Sequence, residues 1–247
     1  MLTRVKPNAA SLRNQVADML RSAIAVGALE PGRRLRERVL CEELGISRTS
    51  LREALRILES EGIVTSIPHR GVVVAAPNAE EAEDSYRTRA ALECLLVRQF
   101  TERASRARID RLADIVAAMT DSSQSLDVCD FARLMREYYA VLLAGASNRS
   151  AAAALSPIFA RVTRFWVADM SRPGRIKACA GEVQAIVAAM SRRDEDAAEA
   201  ACKAHHESLL ASLGDLLAER GAAVSVRREV ADCLRLVCAE GGAANSA

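Results

Sequence analysis

The sequence has no run of apolar residues long enough to cross a membrane, although half of its 247 residues are hydrophobic. A membrane-spanning helix needs about 18 or more consecutive apolar residues. The first twenty residues carry Arg4, Lys6 and Arg13 and contain no apolar segment before a cleavage site, so they do not resemble a secretion signal. We therefore expect a soluble, cytoplasmic protein with enough apolar residues to form a substantial core.

Cysteine pairs in the Cys-x-x-Cys spacing of zinc ribbons are also absent. Seven cysteines are present, an odd number that argues against a disulfide framework. They lie at positions 41, 94, 129, 179, 202, 233 and 238. The main interpretation is that they are small apolar residues of the interior in a reducing compartment, and the alternative is a redox-sensing thiol.

Histidine is scarce, with only His69, His205 and His206 in the whole chain. Nucleophilic catalysis needs a base beside a serine or cysteine together with an orienting acid, and a metal centre needs several converging ligands. No such set can be assembled around these three histidines. The sequence therefore predicts that the protein is not an enzyme.

Positive charge is concentrated in the first third of the chain, although the net charge of the whole is only +2. Residues 1–75 contain 12 Lys and Arg against 8 Asp and Glu, whereas residues 76–247 contain 22 against 24. The N-terminal part is therefore the part suited to an anionic partner.

The N-terminal third has the pattern of a winged helix-turn-helix domain, for which we expect the bounds 1–76. A first helix is predicted over about 11–26, and a second, short helix ends at Gly45. Ser47 is a good N-cap for a third, amphipathic helix. Two stretches rich in Ile, Val and Thr on either side of a Pro-His-Arg-Gly tip then predict a two-stranded hairpin at about 63–75.

Beyond Asn78 the strand signals stop and long helical patterns follow. Six helices are predicted at about 79–104, 106–121, 125–144, 149–170, 175–192 and 194–219, with a seventh near 225–239. Each helix has one apolar face to bury, so residues 77–247 should form an all-α antiparallel bundle of six or seven helices. The predicted fold class is mainly α, with one small β-hairpin wing.

The third helix carries cations where a helix-turn-helix reads DNA. In this motif the second helix enters the major groove, and its N-terminal residues meet the base edges. Arg48 and Arg52 stand one turn apart at that position. Ser47, Thr49 and Ser50 add hydroxyl groups that bind phosphate oxygens or bases. The alternative for each arginine is a solvated surface charge.

Three further residues are predicted to touch DNA. Arg38 lies early in the preceding helix, away from the apolar side, where it would clamp a phosphate. His69 and Arg70 sit at the hairpin tip, within reach of the minor groove. The alternatives are a solvated charge for Arg38 and a residue that only shapes the turn for His69.

The stretches "GALEPGRRLRERVLCEELGISRTSLREALRILESEGIV" and "PHRGVVVAAP" resemble the DNA-binding domain of the GntR family of bacterial transcription regulators. The resemblance covers essentially all of residues 11–76. It implies DNA contacts at nine positions, which are Arg38, Ser47, Arg48, Thr49, Ser50, Arg52, His69, Arg70 and Gly71.

The C-terminal part resembles the FCD domain of the FadR subfamily at "YRTRAALE" (86–93), "YYAVLLAGASN" (138–148) and "GEVQAIVAAMSRRDEDAAEAACKAHH" (181–206). This resemblance implies an effector cavity inside the bundle, commonly for a small carboxylate, and a homodimer. Arg89 matches an arginine of the subfamily that can pair bidentately with a carboxylate, and its alternative is a salt bridge, for example with Glu93.

Many FCD domains hold a metal ion through one Asp and three His residues. The corresponding positions here are Met135, Tyr139, Val183 and His205, so only one ligand survives. We therefore expect a pocket without a metal and no other cofactor. Tyr139 and His205 would instead donate hydrogen bonds to an acid, although core packing is the alternative for Tyr139.

Together these features predict a homodimeric, sequence-specific regulator of transcription that acts as a repressor. Its affinity for a palindromic operator would be modulated by a small organic acid bound to Arg89, Tyr139 and His205. The alternative is an effector-blind DNA-binding protein whose bundle serves only dimerisation. Double-stranded DNA, a small-molecule effector and a second copy of the chain are the expected partners, and no membrane is involved.

Overall fold

The computed structural model describes residues 8–25, 29, 31–75, 79–121 and 126–220. These residues fall into two compact units that divide at residues 76 and 77. The first unit contains three helices and one hairpin, and the second contains six helices, all counted within the described ranges.

The first unit is built around its third helix. Its elements are α1 (Asn8–Ala25), α2 (Glu37–Leu44), α3 (Arg48–Ser60), β1 (Val64–Ile67) and β2 (Gly71–Val74). Helix α3 buries Leu51, Ala54, Leu55 and Leu58, the spacing of a single helical face, against α1, α2 and β1. The opposite face of α3 is left to solvent.

Local signals set the ends of these elements as expected. Helix α2 ends at Gly45, whose φ of +63° suits glycine, and the Ser47 hydroxyl caps α3 by accepting a hydrogen bond from the Ser50 amide at 3.2 Å. Strands β1 and β2 pair antiparallel from Val64 opposite Val74 to Ile67 opposite Gly71. The predicted winged helix with its small hairpin is confirmed.

The second unit is a helical bundle, also as predicted. Its helices are α4 (Ala79–Arg103), α5 (Arg106–Asp121), α6 (Val128–Ala146), α7 (Arg149–Met170), α8 (Arg175–Ser191) and α9 (Glu195–Arg220). Helix α4 packs against α6, α7, α8 and α9, so it runs through the centre of the bundle. The helix expected near 225–239 lies outside the described residues.

Side chains satisfy several helix ends in this unit. Asp127 accepts hydrogen bonds from the amides of Cys129 and Asp130 at the start of α6, and Asn148 accepts one from Ala151 at the start of α7. These are the N-caps that free backbone amides at a helix start require.

Gly145 in α6 marks a point where two helices touch too closely for any side chain. A methyl group here would collide with the ring of Phe100, which is fully buried in α4, and would meet the Ala104 methyl at 3.2 Å. We expect Gly145→Ala to lower the free energy of unfolding by about 1–3 kcal/mol through overpacking, measured by urea denaturation.

Gly181→Ala is the matched control for this substitution. Gly181 is an exposed helical glycine of α8, and a methyl group there meets nothing within 4 Å. It should stabilise the protein by about 0.5–1 kcal/mol because alanine is the better helix former. Equal denaturation midpoints for the two variants would contradict the close packing at Gly145.

Candidate functional site

The N-terminus of α3 presents an exposed cation. Arg48 and Thr49 are exposed, and within the part of the chain that the structure describes Arg48 forms no ion pair. The hydroxyls of Ser47 and Ser50 lie 3.0 Å apart beside it. This surface therefore offers one available guanidinium group and three hydroxyl groups at a helix start, a suitable arrangement for phosphate oxygens and base edges.

The other two arginines predicted to contact DNA from α2 and α3 already have carboxylate partners. Arg52 is 63% exposed, and its Nε lies 3.0 Å from both carboxylate oxygens of Glu37 in α2. The hydrogen bond to Glu37 raises the pKa of Arg52. Arg38 forms an exposed i,i+4 pair with Glu42 at 3.1 Å. DNA would have to compete with these carboxylates, and the Glu37 contact also holds the Arg52 side chain in one place.

The hairpin tip is exposed and tightly turned. The Arg70 amide donates to the Ile67 carbonyl at 3.0 Å, and His69 has a φ of +62°, as in a type II turn with proline at its second position. The backbone of His69 therefore shapes the turn, as in the structural alternative that the sequence left open for this residue. The side chains of His69 and Arg70 are both exposed.

One cation of this surface was missed by the sequence analysis. The guanidinium nitrogens of Arg34 lie 3.8–3.9 Å from the position that a Cβ would take on Gly71, so Arg34 is next to the hairpin tip. Arg34 is exposed, and its backbone bridges to Val73 in β2. The run "GRRLRER" signalled a cationic stretch, but only the pairing with β2 brings Arg34 beside the wing.

The second unit contains a buried polar cluster centred on Arg89 of α4. Its Nε donates to Glu93 Oε1 at 2.6 Å, and its Nη2 donates to the Tyr139 hydroxyl at 2.7 Å. That hydroxyl donates in turn to Glu93 Oε2 at 2.9 Å, and His206 Nε2 lies 3.0 Å from the same oxygen. The salt bridge between Arg89 and Glu93, one of the two alternatives for Arg89, is therefore present.

A second group of polar residues adjoins the first through the two histidines. His205 Nδ1 lies 2.7 Å from Glu182 Oε2, and the Ser208 hydroxyl donates to Glu182 Oε1 at 2.6 Å. The ring centroids of His205 and His206 are 5.3 Å apart, so the two groups are neighbours. The structure brings Arg89 and Tyr139 into direct contact and places His205 on Glu182 instead.

Arg175 connects the cluster to the end of α7. Its Nε donates to Asp169 Oδ2 at 3.0 Å, and its Nη1 lies 3.7 Å from Glu182. Sequence analysis missed Asp169, Arg175, Glu182 and His206 as members of this cluster. The signal for Glu182 was a carboxylate in the largely apolar stretch "CAGEVQAIV".

Burial and pairing shift the pKa values in this cluster in opposite directions. Burial alone would raise the pKa of Glu93, but Arg89 and His206 outweigh it and hold the pKa well below its usual range. Burial lowers the pKa of His205, although Glu182 acts against the shift. Burial also raises the pKa of the Tyr139 hydroxyl well above its usual value, so Tyr139 remains a donor.

Two buried nitrogens of the cluster have no hydrogen-bond partner among the described residues. They are Nδ1 of His206, whose side chain is 4% exposed, and Nη2 of Arg175. Buried polar atoms are nearly always satisfied in folded proteins, so an acceptor belongs beside Arg175 Nη2. In a neutral imidazole whose Nε2 donates to Glu93, Nδ1 is an acceptor, so a donor belongs beside it. The cluster is therefore chemically suited to a small molecule with acceptor oxygens.

The residues do not fit the metal centre of the FCD domain. Met135 and Val183, at two of its ligand positions, are buried apolar residues, and the Tyr139 hydroxyl is engaged by Arg89 and Glu93.

A different set, Cys179, Glu182 and His205, brings one donor atom from each residue within 4.8 Å of the others. Burial raises the pKa of the Cys179 thiol to about 12, so the thiol is protonated in the metal-free protein and a metal ion would have to displace that proton. Glu182 is also hydrogen-bonded to His205 and Ser208 already.

We expect zinc to leave the melting temperature of the chelator-treated protein unchanged, because ligand binding to the folded state alone would raise it. The measurement is a thermal melt over a zinc titration, with His205→Gln as the control variant. A saturable rise that this substitution removes would show that Cys179, Glu182 and His205 do hold a metal.

Two family profiles match the chain. The one described as "Bacterial regulatory proteins, gntR family" matches residues 12–74, and the one described as "FCD domain" matches residues 84–208. The first contains the exposed surface of α3 and the hairpin tip, and the second contains the buried polar cluster.

Several curated relatives are regulators of transcription. The "Nta operon transcriptional regulator" of Aminobacter aminovorans is 32% identical over 144 residues, which is 58% of this chain and 68% of that protein. The "Gluconate operon transcriptional repressor" of Bacillus licheniformis is 35% identical over 119 residues, 48% of this chain and 44% of the relative. A third relative is the "Uncharacterized HTH-type transcriptional regulator YdhC" of Bacillus subtilis, which is 25% identical over 139 residues. The match covers 55% of this chain and 61% of the length of that relative.

Solved structures share the fold. "E. coli McbR/YncC" superposes with a TM-score of 0.72 at 19% identity, covering 87% of this chain and 99% of that one. A "putative transcriptional regulator GntR" from Rhodococcus sp. RHA1 gives a TM-score of 0.66 at 22% identity, covering 83% and 98%.

No helix within the described ranges is long and apolar enough to cross a bilayer. The matched families consist of regulators and not of enzymes, in agreement with the expectation from the scarce histidines. The chain therefore belongs to the GntR family of bacterial regulatory proteins and is a DNA-binding transcriptional regulator with an FCD domain.

Proposed function

We propose that the protein is a cytoplasmic homodimeric repressor whose operator affinity is controlled by a small organic acid. Residues 1–76 would bind DNA, and residues 77–247 would bind the effector and form the dimer. The observation that carries the effector half is the buried polar cluster, in which His206 Nδ1 and Arg175 Nη2 have no hydrogen-bond partner among the described residues.

The proposed DNA surface is the exposed face of α3 with the hairpin tip. Arg48 would contact a guanine edge or a phosphate, because its guanidinium group is exposed at the start of α3 and has no carboxylate partner among the described residues. Arg38, Ser47, Thr49, Ser50, Arg52, His69, Arg70 and Gly71 complete the proposed contacts. A dimer would present this surface twice, which fits a palindromic operator.

A carboxylate is the ligand class that the polar cluster favours. Ionised carboxylates only accept hydrogen bonds, and Arg175 Nη2 is a buried donor that has no partner among the described residues. Arg89, Tyr139 and His205 belong to the same cluster, and Tyr86 feels the charges of both Arg89 and Arg175. An acid bound here would contact α4, α6, α8 and α9 together. It would change the conformation of the dimer only if it bound one conformation of the dimer more tightly than the other.

One observation favours the effector-blind alternative. The Arg89 guanidinium is already satisfied by Glu93 and Tyr139, so it forms a closed internal network that does not need a ligand. In that case the bundle would serve only dimerisation.

Selection of bound sequences from random DNA, followed by thermal melting with a panel of organic acids, tests the proposal. We expect a palindrome to be enriched, and at least one acid to raise the melting temperature and change the affinity for that palindrome. Enrichment of a palindrome without any responsive acid would support the effector-blind alternative. Failure to enrich any sequence would contradict the regulator proposal itself.

Tyr139→Phe and Tyr138→Phe are a matched pair for locating the acid. The two tyrosines are adjacent in α6, and their ring centroids are 5.3 Å apart, but only Tyr139 has its hydroxyl on Arg89 and Glu93. We expect Tyr139→Phe to weaken acid binding about tenfold, the effect of losing roughly 1.4 kcal/mol. Equal affinities in the two variants would place the acid elsewhere.

A further inference from the structure

Two cysteine thiols meet between α4 and α9. Cys94 of α4 and Cys202 of α9 are both buried free cysteines in two helices that pack together, and each thiol changes the pKa of the other. Glu93 precedes Cys94, and His206 lies one turn after Cys202. Glu93 Oε2 and His206 Nε2 are 3.0 Å apart, so they join the same two helices. The two cysteines therefore lie at a contact between α4 and α9 that the neighbouring residues also make.

The two thiols differ in their access to solvent. Cys94 is 7% exposed and lines a groove of about 410 Å³, together with Arg98, Glu199 and Lys203, whereas Cys202 is 1% exposed and does not line it. A small molecule in this groove reaches Cys94 first. Cys202 lies behind Cys94, where its thiol would react with an oxidised Cys94 to form a disulfide.

The surroundings favour ionisation of Cys94 over that of Cys202. The hydrogen bond with Cys202 lowers the pKa of Cys94 against the effects of burial and of the Glu199 carboxylate, and Lys203 adds a smaller lowering effect. The same hydrogen bond, together with burial, raises the pKa of Cys202. Burial also raises the pKa of Cys179, to about 12. Since the thiolate is the nucleophile, Cys94 is the more reactive of these three cysteines.

We propose that Cys94 and Cys202 form a redox-active dithiol that hydroperoxides convert into an intramolecular disulfide. The Cys94 thiolate attacks one peroxide oxygen, the O–O bond breaks, and the departing alkoxide or hydroxide takes up a proton. Cys94 is then a sulfenic acid. The Cys202 sulfur attacks the Cys94 sulfur, the S–O bond breaks, and the hydroxide leaves as water with the Cys202 proton.

The overall reaction oxidises two thiols to one disulfide and reduces one hydroperoxide to an alcohol, or to water for hydrogen peroxide, with one further water. The S–S bond is about 2.05 Å long, much shorter than the contact between two hydrogen-bonded thiols. The disulfide therefore draws α4 and α9 together next to the hydrogen bond between Glu93 and His206.

The test is to oxidise the reduced, full-length protein with hydrogen peroxide, block free thiols by alkylation and map the peptides by mass spectrometry. We expect one cross-link, between Cys94 and Cys202 of the same chain, with loss of two hydrogen atoms and reversal by dithiothreitol. This result comes from the unmodified chain, so it does not depend on whether a variant folds, and it does not depend on DNA or effector binding.

Two variants separate the roles of the thiols. Cys202→Ser should stop the reaction at a sulfenic acid on Cys94 that dimedone traps, while Cys179→Ser, which removes another buried thiol, should still form the cross-link. The proposal is overturned if Cys94 and Cys202 remain free thiols after the other cysteines have reacted. A disulfide that joins two chains, or one that pairs Cys94 with a different cysteine, would overturn it equally.

Discussion

Replacing Arg48 with alanine is expected to abolish sequence-specific DNA binding without disturbing the fold of either unit. The guanidinium group is exposed and forms no ion pair within the described residues, so its removal breaks no such internal contact. A bidentate contact from arginine to guanine is worth about 1–3 kcal/mol of discrimination. A dimer on a palindrome loses it in both half-sites, which corresponds to an affinity lower by roughly two to four orders of magnitude.

Fluorescence anisotropy with the selected operator and a scrambled duplex measures this effect. Arg106→Ala is the matched control, because Arg106 is 71% exposed in α5 of the other unit and its loss changes the net charge equally. The control should bind the operator like the unchanged protein. If Arg48→Ala keeps its preference for the operator and only the salt dependence falls, Arg48 contacts a phosphate and does not read a base.

The fold was predictable because its signals are local. Ser47 and Gly45 fix the turn between α2 and α3 through a hydroxyl cap and a left-handed glycine, and both are recognisable in the sequence without any neighbour. The six helices of the second unit follow from apolar periodicity and from breaks such as Asn148. Tertiary packing did not override any of these signals.

The polar interior was predictable only where it depends on one helix. Arg89 and Glu93 are four residues apart in α4, so their salt bridge follows from helical spacing. The contacts of Glu182 with His205, and of Arg175 with Asp169, join separate helices. They depend on the angles at which α7, α8 and α9 pack, and no local pattern in the sequence determines those angles.

The same limit applies to the DNA surface. The sequence indicates that Arg52 stands on the exposed side of α3 near its start, and it is exposed. Its ion pair with Glu37 joins residues fifteen positions apart and depends on the angle between α2 and α3. The structure thus adds a partner that orients Arg52. Among the three arginines of α3, Arg48 is the one that forms no ion pair with any described residue.

The second large effect is expected at Glu93, where glutamine should lower the free energy of unfolding by about 3–5 kcal/mol. The substitution keeps the shape of the side chain but leaves the Arg89 guanidinium, which is 3% exposed, without its countercharge. A buried charge that loses its partner is costly, whereas removing both charges is far less so. The double variant Arg89→Met, Glu93→Leu should therefore be more stable than Glu93→Gln alone in urea denaturation.

Glu83→Gln provides a control on the same helix. Glu83 forms an i,i+4 pair with Arg87 at 3.6 Å, but the two side chains are 43% and 63% exposed, so its loss should change the stability by about 0.5 kcal/mol or less. Because the pKa of Glu93 is lowered in the folded protein, the pair stabilises fully above the unfolded pKa of about 4.3, and its contribution falls as the pH drops through the lower folded value. The difference between the unchanged protein and Glu93→Gln should therefore be constant near neutral pH and shrink in acid. Similar losses for Glu93→Gln and Glu83→Gln at neutral pH would mean that water reaches Arg89, and that the cluster is an open site and not a sealed ion pair.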